Sequence, residues 1–439
     1  MSLIEHVTSL AALPGGRLPA GALGLARLSL LDWMACGIAG MDEPVATKLR
    51  AFAESEGTKG VSSVIGGGAA SARMAALVNG AASHALDYDD THFAHVGHLS
   101  VGIYPAALAV AEEIDTSAEA MVQAFLVGAE TAIRIGMVLG RSHYNQGFHQ
   151  TATAGAFGAT VAAARLYRLG EQEMRNAIGL CATRASGLKS QFGTMGKPYN
   201  AGLAASNGVE CARLAALGLT SADDGLMGLQ GFIPTHTQAA EFDGGRGLPS
   251  LDDFLFEDNK YKLHACCHGT HAMIEALLEA NALQGCGLDD IAAFTLHTNP
   301  RWLRVCDLKE PRTGLEVKFS YNWLAGMTIR GDRTGDDRVY RDALADDAML
   351  ADFARKVRVV GDDALTDMEA RGAVTLKDGS EISIYHDLAA RIPQTVLAGK
   401  LQAKAEAVIG EKGAALWGRF VDLPGKRACN LGQELRREP

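Results

Sequence analysis

NGAASHALDYDDTHFAHVGHLS, residues 79–100, is the stretch around which the rest of the chain is organised. Within fifteen residues it holds four histidines and three aspartates, which are His84, His92, His95, His98, Asp87, Asp89 and Asp90. Alanines recur at helical spacing where the stretch begins, which predicts a helix with His84, Asp87 and Thr91 on one face. A loop containing glycine and histidine should follow and end near residue 100.

Two interpretations of this stretch stay open. Titratable side chains packed densely beside apolar residues are costly unless they are paired, so the stretch is a candidate functional site. A helix end capped by aspartates, with its histidines on the surface, explains the same composition without any function.

The overall composition excludes several classes of protein. The chain has 439 residues, enough for two or three domains, and its 41 lysines and arginines are outnumbered by 51 aspartates and glutamates. The net charge of −10 and the absence of a basic block predict no nucleic-acid partner and no anionic-membrane partner. Eight cysteines without a C-x-x-C pair are typical of reduced thiols, and we expect a cytoplasmic protein.

The apolar segments do not predict a membrane protein. The N-terminus, MSLIEHVTSL, lacks the basic region and apolar core of a signal peptide. The most apolar runs, 24–40 and 125–140, each carry an acidic and a basic residue. We expect them to be core helices that are too polar to span a bilayer.

A second motif is GRSHYNQGFHQTATAGAFGATVAAARLYRLG, residues 140–170. It predicts a polar loop with His143, Tyr144 and His149, followed by a helix that begins with small residues. Such residues let a ligand or another backbone come close, and a helix N-terminus favours an anion. Tight packing between helices explains the small residues equally well.

A third motif is SGLKSQFGTMGKPYNAGLAASNGVECARLAALG, residues 186–218. Lys197 precedes a proline in a loop punctuated by glycines, and a helix should begin near Asn200. A cation held at the mouth of a helix suits a substrate carboxylate. The ordinary alternative is a solvated loop lysine.

The segment 258–280 contains the third group of histidines. His264, His268 and His271 are spaced four and three apart, which would place them on one face of a continuous helix. This spacing can bind zinc, but the segment offers no obvious fourth ligand. We therefore predict no metal.

The pattern changes from helical to mixed near residue 291. Strands are predicted at 291–298 and 356–360, with a hairpin at 373–385 that turns at 377–379. Helices are predicted at 20–39, 70–88, 102–115, 117–140, 172–182, 313–327, 395–408 and 412–419. The simplest fold is mainly α: a large all-helical domain, 1–258 and 388–439, with an inserted smaller α+β lid domain, 259–387.

Four strings in the chain together resemble the MmgE/PrpD family. They are NGAASHALDYDDT followed by GH, the pattern G-F-H-x-T-x-x-x-G-x-F-G-A, the pattern T-M-x-K-P-x-x-A-G-x-A-A-x-x-G, and E-x-K-F-S at 316–320. The family includes 2-methylcitrate dehydratases, cis-aconitate decarboxylases and an iminodisuccinate epimerase. The resemblance implies a homodimeric enzyme without cofactor or metal, whose active site lies between the two domains.

The resemblance also implies a set of site residues. The catalytic candidates are Asp87, His98, His149, Tyr144 and Cys267, and the substrate-binding candidates are Thr91, Lys197, Lys262 and His271. By resemblance His149 is the catalytic histidine and Lys262 a substrate-binding lysine. Cys267 stands where the cis-aconitate decarboxylases have histidine, which disfavours that activity.

The chemistry implied is removal of a proton next to a carboxylate. Lys197 and Lys262 would hold substrate carboxylates, and His98 or His149 would be the general base. Asp87 would orient an imidazole or act as the base itself. Thr91 is a hydrogen-bonding candidate, and Tyr144 or Cys267 could deliver a proton to the opposite face.

These groups make a lyase of a small di- or tricarboxylate the leading expectation, most plausibly a dehydratase of a 2-methylcitrate-like hydroxy acid. An epimerase of an imino- or aminodicarboxylate is the first alternative, and a cis-aconitate-type decarboxylase is another. A metal hydrolase and a noncatalytic binding protein belong to different classes. Full activity after chelation would exclude the first, and turnover of a bound tricarboxylate would exclude the second.

Overall fold

The computed structural model describes residues 1–57, 59–238 and 247–437. The chain divides into two compact units, the first formed by 1–261 with 409–439 and the second by 262–408. The described residues form eighteen α-helices and six strands, so the prediction of a mainly α fold is confirmed. The boundaries 259–387 for an inserted domain, and its role as a lid, stay predictions.

The first unit is built mostly from long helices. They are α1 (Leu3–Ala11), α2 (Ala20–Ala39), α3 (Pro44–Ser55), α4 (Ala72–Ser83), α5 (Ser100–Glu113), α6 (Ala118–Gln146), α7 (Gln150–Leu166), α8 (Glu171–Arg184), α9 (Gly196–Ala216), α10 (Phe232–His236), α17 (Glu411–Phe420) and α18 (Ala428–Leu435). Two short antiparallel strands, β1 (Ser62–Ser63) and β2 (Ala69–Ala70), lie between α3 and α4.

Helix α7 lies at the centre of the first unit, where it packs against α5, α6, α8 and α9. Its residues are almost all buried and are mostly alanine, glycine and threonine. A Cβ on Gly158 would lie only 2.6 Å from the carbonyl oxygen of Gly128 on α6. The small residues of this motif therefore serve close helix packing.

A second backbone contact joins α4 to α9. A Cβ on Gly202 would lie 2.3 Å from the carbonyl oxygen of Leu77, and one on Gly80 would lie 2.8 Å from the Cα of Gly202. No side chain fits between the two helices at this point. Because α4 leads into the histidine-rich stretch and α9 begins beside Lys197, this contact sets the distance between them.

The predicted end of the helix in the opening stretch is wrong. Helix α4 ends at Ser83, and the chain turns at 84–87 with Asp87 at a φ of +51°. His84, Asp87 and Thr91 therefore do not share a helix face. The left-handed conformation is one that aspartate tolerates better than most residues, and it ends the helical path.

The predicted polar loop at 140–149 is mostly helical. Gly140 departs from helical geometry with a φ of +64°, but α6 resumes and continues to Gln146, so His143 and Tyr144 lie on a helix. His149 directly precedes α7. Similarly, α9 begins at Gly196, which places Lys197 in its first turn, before the predicted start.

Helices α2 and α6 are long and apolar enough to cross a membrane by length and composition alone. The expectation that they are too polar to do so was therefore wrong. Their most apolar windows are 78% and 89% buried within the fold, as in core helices of a soluble protein. In α6 the acidic and basic residues of the run 125–140, Glu130 and Arg134, form a fully buried ion pair at 2.9 Å.

The second unit combines short helices with one sheet. Its helices are α11 (His271–Glu279), α12 (Pro300–Cys306), α13 (Gly314–Val317), α14 (Tyr321–Arg330), α15 (Ala348–Ala354) and α16 (Gln394–Ile409). Its strands are β3 (Ile291–Thr298), β4 (Val357–Gly361), β5 (Glu369–Leu376) and β6 (Glu381–Asp387). The sheet order is β4-β3-β5-β6, with β3 and β4 parallel and the other pairs antiparallel.

The strand predictions are confirmed, and one helix prediction in this unit is not. The predicted helix 313–327 is broken between α13 and α14 because the Ser320 hydroxyl accepts from the amide of Trp323 and caps a new helix. Helix α11 begins only at His271, so the histidines at 264, 268 and 271 do not lie on one continuous helix. Helix α11 packs against β5 and β6.

Candidate active site

The carboxylate of Asp89 lies between two imidazoles in the first unit. The Nδ1 atom of His84 is 2.8 Å from Asp89 Oδ1, and the Nδ1 atom of His98 is 2.7 Å from Asp89 Oδ2. The two rings meet edge to face with centroids 4.5 Å apart. All three residues are buried, and they come from the turn after α4 and the loop before α5.

The charges of this group follow from its burial. Burial opposes ionisation of Asp89, but the nearby His84 and His98 outweigh it and hold the pKa of this carboxyl well below its usual range. An ionised carboxylate only accepts hydrogen bonds, so Nδ1 of His84 carries its proton toward Asp89. His98 approaches the other carboxylate oxygen at ion-pair distance without the alignment of a hydrogen bond, and its Nδ1 atom also carries the proton because a lone pair there would face that oxygen at 2.7 Å. The basic nitrogen of a neutral His98 is then Nε2, and it lies 3.5 Å from Asp87 Oδ1.

A lysine and a second carboxylate lie beside His98. The Nζ atom of Lys197 is 2.7 Å from Asp87 Oδ1. The side chain of Asp87 is 48% exposed and that of Lys197 only 17%. The lysine is thus held at the first turn of α9 by a partner that solvent reaches.

His149 borders the same group. Its ring stacks on His84 with centroids 6.2 Å apart and meets Phe192 edge to face at 5.0 Å. Its Nδ1 atom is 3.2 Å from Nδ2 of Asn200 on α9. Burial, and after it the neighbouring His84 and His98, lower the pKa of His149 well below its usual range, so the ring is neutral near pH 7.

The structure therefore brings together four of the predicted site residues: Asp87, His98, His149 and Lys197. Thr91 pairs through its backbone with Lys260, with both N–H···O distances at 2.8 Å. Tyr144 packs against Lys189, whose Nζ atom is 3.6 Å from the centre of the tyrosine ring. Neither contact involves the four residues.

The other three candidates lie in the second unit. Lys262 and His271 are buried, and Cys267 is half-buried beside the start of α11. The rings of His264 and His268 lie 5.1 Å and 4.8 Å from that of His271. Burial, followed by the charge of His268, lowers the pKa of His271 well below its usual range.

An acidic residue on α11 neutralises this second group. Glu275 Oε1 is 3.1 Å from His264 Nε2, and its other oxygen pairs with Lys400. Burial opposes the charge of Glu275, but hydrogen bonds from His264 and Lys400 lower its pKa to about 2. Both oxygens of Glu275 are thus paired, whereas the buried Nε2 atom of His271 has no hydrogen-bond partner among the described residues.

Two groups of described residues have ligand atoms close enough to hold a metal ion, and neither contains His264, His268 or His271. The first is His84, Asp87, Asp89 and His98, and the second is Glu275, Glu279 and His386, with the ligand atoms of each group within 4.8 Å of one another. In both, a lysine already pairs with a carboxylate, Lys197 with Asp87 and Lys400 with Glu275. These ammonium groups repel a divalent cation, so the residues do not fit a metal well.

Four residues at the site were not among the predicted site residues: His84, Asp89, Phe192 and Asn200. His84 and Asp89 are in the opening stretch, but its spacing does not show which aspartate faces the histidines. The adjacent Asp90 is equally buried and accepts hydrogen bonds from Ser100 and Asn259 instead.

Comparisons with known proteins agree with the resemblance seen in the sequence. Residues 8–244 match the model of the MmgE/PrpD N-terminal domain, and residues 264–412 match that of the MmgE/PrpD C-terminal domain.

Individual relatives carry related names. A cis-aconitate decarboxylase-like protein of Aspergillus oryzae is 30% identical over 317 residues, which cover 67% of this chain and 63% of that protein. The cis-aconitate decarboxylase of Aspergillus terreus is 29% identical over 279 residues, 59% of this chain and 56% of that enzyme. The human cis-aconitate decarboxylase is 32% identical over 150 residues, 33% of this chain and 31% of that enzyme. The matches thus span less than two thirds of each relative.

Proposed function

The chain belongs to the MmgE/PrpD family, and from this premise we propose that it is a cofactor-independent lyase of a small di- or tricarboxylate. Its leading reaction is dehydration of a 2-methylcitrate-like hydroxy acid. The observation that carries the proposal is the ionised Asp89 between His84 and His98. A buried carboxylate that orients an imidazole is the arrangement of a general base.

In the proposed reaction His98 takes the proton. Its Nδ1–H faces Asp89, so Nε2 has the lone pair that removes a proton from the carbon beside a substrate carboxylate. The electron pair moves into that carboxylate and then forms the carbon–carbon double bond as hydroxide leaves. The hydroxide takes the proton back from the His98 imidazolium and departs as water, which leaves His98 neutral again. Asp89 stabilises the imidazolium formed in the first step.

Lys197 supplies the positive charge for a substrate carboxylate. Its partner Asp87 is half-exposed, and an incoming carboxylate can replace it at the ammonium group. The same charge stabilises the enolate-like intermediate, which is more negative near the reacting carbon than the substrate. Lys262, Cys267, His271, Thr91 and Tyr144 stay predictions from the family resemblance, as do the homodimer and the cytoplasmic location.

Decarboxylation of cis-aconitate is the second candidate, favoured by the names of the relatives in Aspergillus and human. In that reaction the bond to a carboxylate breaks, carbon dioxide leaves, and the carbon takes a proton. The epimerase alternative keeps the first proton removal and returns a proton to the opposite face, for which Tyr144 is the candidate acid.

Proton NMR in D2O distinguishes these reactions. Purified protein is incubated separately with 2-methylcitrate, citrate, cis-aconitate and iminodisuccinate, with a His98→Gln variant as the control. New vinyl signals from a hydroxy acid support the dehydratase, and itaconate from cis-aconitate supports the decarboxylase. Loss of an α-proton signal with an unchanged skeleton indicates epimerisation. An unchanged spectrum for all four acids contradicts the proposed function.

A further inference from the structure

We propose that Asn200 is a positioning residue that fixes His149 in the tautomer with its proton on Nε2, so that His149 is a hydrogen-bond donor and His98 alone is the base. This inference rests on the proposed function and assigns a role within the same site. It assigns different roles to His98 and His149, either of which could be the general base on the sequence alone.

The orientation of the Asn200 amide follows from its two neighbours. Its Nδ2 atom is 3.2 Å from the carbonyl oxygen of Leu188 and 3.2 Å from Nδ1 of His149. A carbonyl oxygen only accepts hydrogen bonds, so the NH2 side of the amide must face Leu188. The second proton of the same NH2 group then faces His149.

This second proton determines the tautomer of His149. A donor 3.2 Å away requires a lone pair on Nδ1, because two N–H groups facing each other would repel. The ring is buried and neutral, so its one proton is on Nε2. The charged or titratable groups nearest the ring are His84 and His98 after α4, Lys197 on α9 and Asp87. The first three disfavour the imidazolium and only Asp87 favours it.

The two histidines therefore have opposite tautomers. The carboxylate of Asp89 faces Nδ1 of His98 at ion-pair distance and leaves Nε2 of that ring basic, whereas Asn200 donates at Nδ1 of His149 and leaves an N–H at Nε2. A neutral imidazole N–H is suited to stabilise negative charge that develops on a substrate oxygen. The role of His149 therefore requires no change in its protonation before the substrate binds.

The direct test is nitrogen NMR of the wild-type protein labelled with ¹⁵N-histidine, with His149→Gln to assign the ring. At pH 7 we expect Nδ1 of His149 to have the shift of an unprotonated nitrogen and Nε2 that of a protonated one. The reverse pattern overturns the proposal. This measurement requires neither turnover nor a variant at position 200, so it is independent of the proposed function.

The kinetic test replaces the donor by an acceptor of the same shape. We expect Asn200→Asp to move the proton to Nδ1, lower kcat by about 10²-fold and shift the acid limb of the pH profile to higher pH. The limb shifts because the new carboxylate stabilises the imidazolium, so the neutral ring is lost at a higher pH.

A matched control comes from the same helix. Asn207 is also 4% exposed, and its Nδ2 atom also donates to a carbonyl oxygen, that of Arg184. Asn207→Asp should therefore reproduce any loss of folding while leaving the nitrogen shifts of His149 and the pH profile unchanged. Equal effects of the two variants on kcat and on the pH profile would overturn the positioning role. Inactivity of the wild-type protein toward every carboxylate would contradict the proposed function and leave the NMR result standing.

Discussion

Each unit contains a cluster of three histidines, and the two clusters differ in the charge that faces them. The first cluster is His84, His98 and His149 in the first unit, where Asp89 has imidazoles as its ion-pair partners. The second cluster is His264, His268 and His271 in the second unit. There Glu275 pairs with a histidine and also with Lys400.

This difference shows why histidine density alone does not identify an active site. In the second cluster a lysine already neutralises the carboxylate, so Glu275 is fully paired without a ligand. In the first cluster the carboxylate depends on imidazoles, and Lys197 is held by the half-exposed Asp87. The first cluster thus combines a base with a cation that a substrate can reach.

The largest expected effect is that of removing the charge from the first cluster. Asp89→Asn should lower kcat by about 10³-fold, because His98 loses the carboxylate that orients it and stabilises its imidazolium. Steady-state kinetics and circular dichroism measure activity and folding. The matched control is Glu275→Gln, which removes the corresponding charge from the second cluster and should change kcat by less than about threefold. If the two variants lose activity equally, the distinction between the clusters is wrong.

The next effect concerns the lysine of the first cluster. Lys197→Met should lower kcat/KM by about 10²-fold, mainly through KM, because the substrate carboxylate loses its ion pair. Lys189→Met is the control, since this lysine lies over the Tyr144 ring outside the Asp87 ion pair. An unchanged KM in Lys197→Met would remove this lysine from substrate binding.

Acid should destabilise the first unit more than the second. Burial is the leading cause that lowers the pKa of four histidines in the first unit from 6.5 to about 3 or about 4; they are His6, His92, His95 and His143. Below pH 6.5 these histidines bind protons in the unfolded chain but not in the folded chain. The free energy of unfolding therefore decreases as the pH is lowered, until the pH reaches the lower pKa of the folded state. Each fully buried histidine contributes about 1.4 kcal/mol per pH unit in this window.

Hydrogen exchange followed by mass spectrometry at pH 7 and pH 5 measures this difference between the units. After correction for the slower intrinsic exchange at pH 5, we expect the protection factors to fall in α4 to α7, with a smaller change in β3 to β6. A His95→Asn variant provides the comparison and should reduce the pH dependence of the first unit. An equal fall in protection factors in both units would contradict the assignment of acid sensitivity to these histidines.

The smallest expected effect is that of metal removal. Dialysis against a chelator should leave kcat unchanged, because the ammonium group of Lys197 lies 2.7 Å from Asp87 at the most plausible ligand set. Metal analysis by mass spectrometry accompanies the assay. A loss of activity that one divalent metal restores would instead support the metal hydrolase class.

Strands were easier to predict from the sequence than helix ends. The strand predicted at 291–298 matches β3, because apolar residues on one face and turn residues at each end leave little choice of register. The helix predicted to reach residue 88 ends at Ser83. At this point the helical pattern of the sequence conflicts with the ion pair between His84 and Asp89, which requires a turn. Helix periodicity contains no information about this ion pair, so it does not predict where the helix ends.

The site was predictable as a set of motifs but not as a geometry. The sequence predicted that Asp87, His98, His149 and Lys197 belong together, and the contacts of the first unit agree. It did not distinguish Asp89 from Asp90, which are adjacent and equally buried, because only the folded turn decides which carboxylate faces the histidines. For the same reason Asn200, outside the opening stretch, was not predicted to contact His149.

The contact of Gly80 with Gly202 has a consequence for how the protein tolerates genetic variation. The backbone spacing of α4 and α9 is set where neither helix has room for a methyl group, and both helices lead directly to residues of the first cluster. A codon change to alanine at either glycine therefore displaces the base and the cation relative to each other without altering any group that takes part in chemistry. Inactivating alleles should thus occur at these two glycines as well as at the histidines.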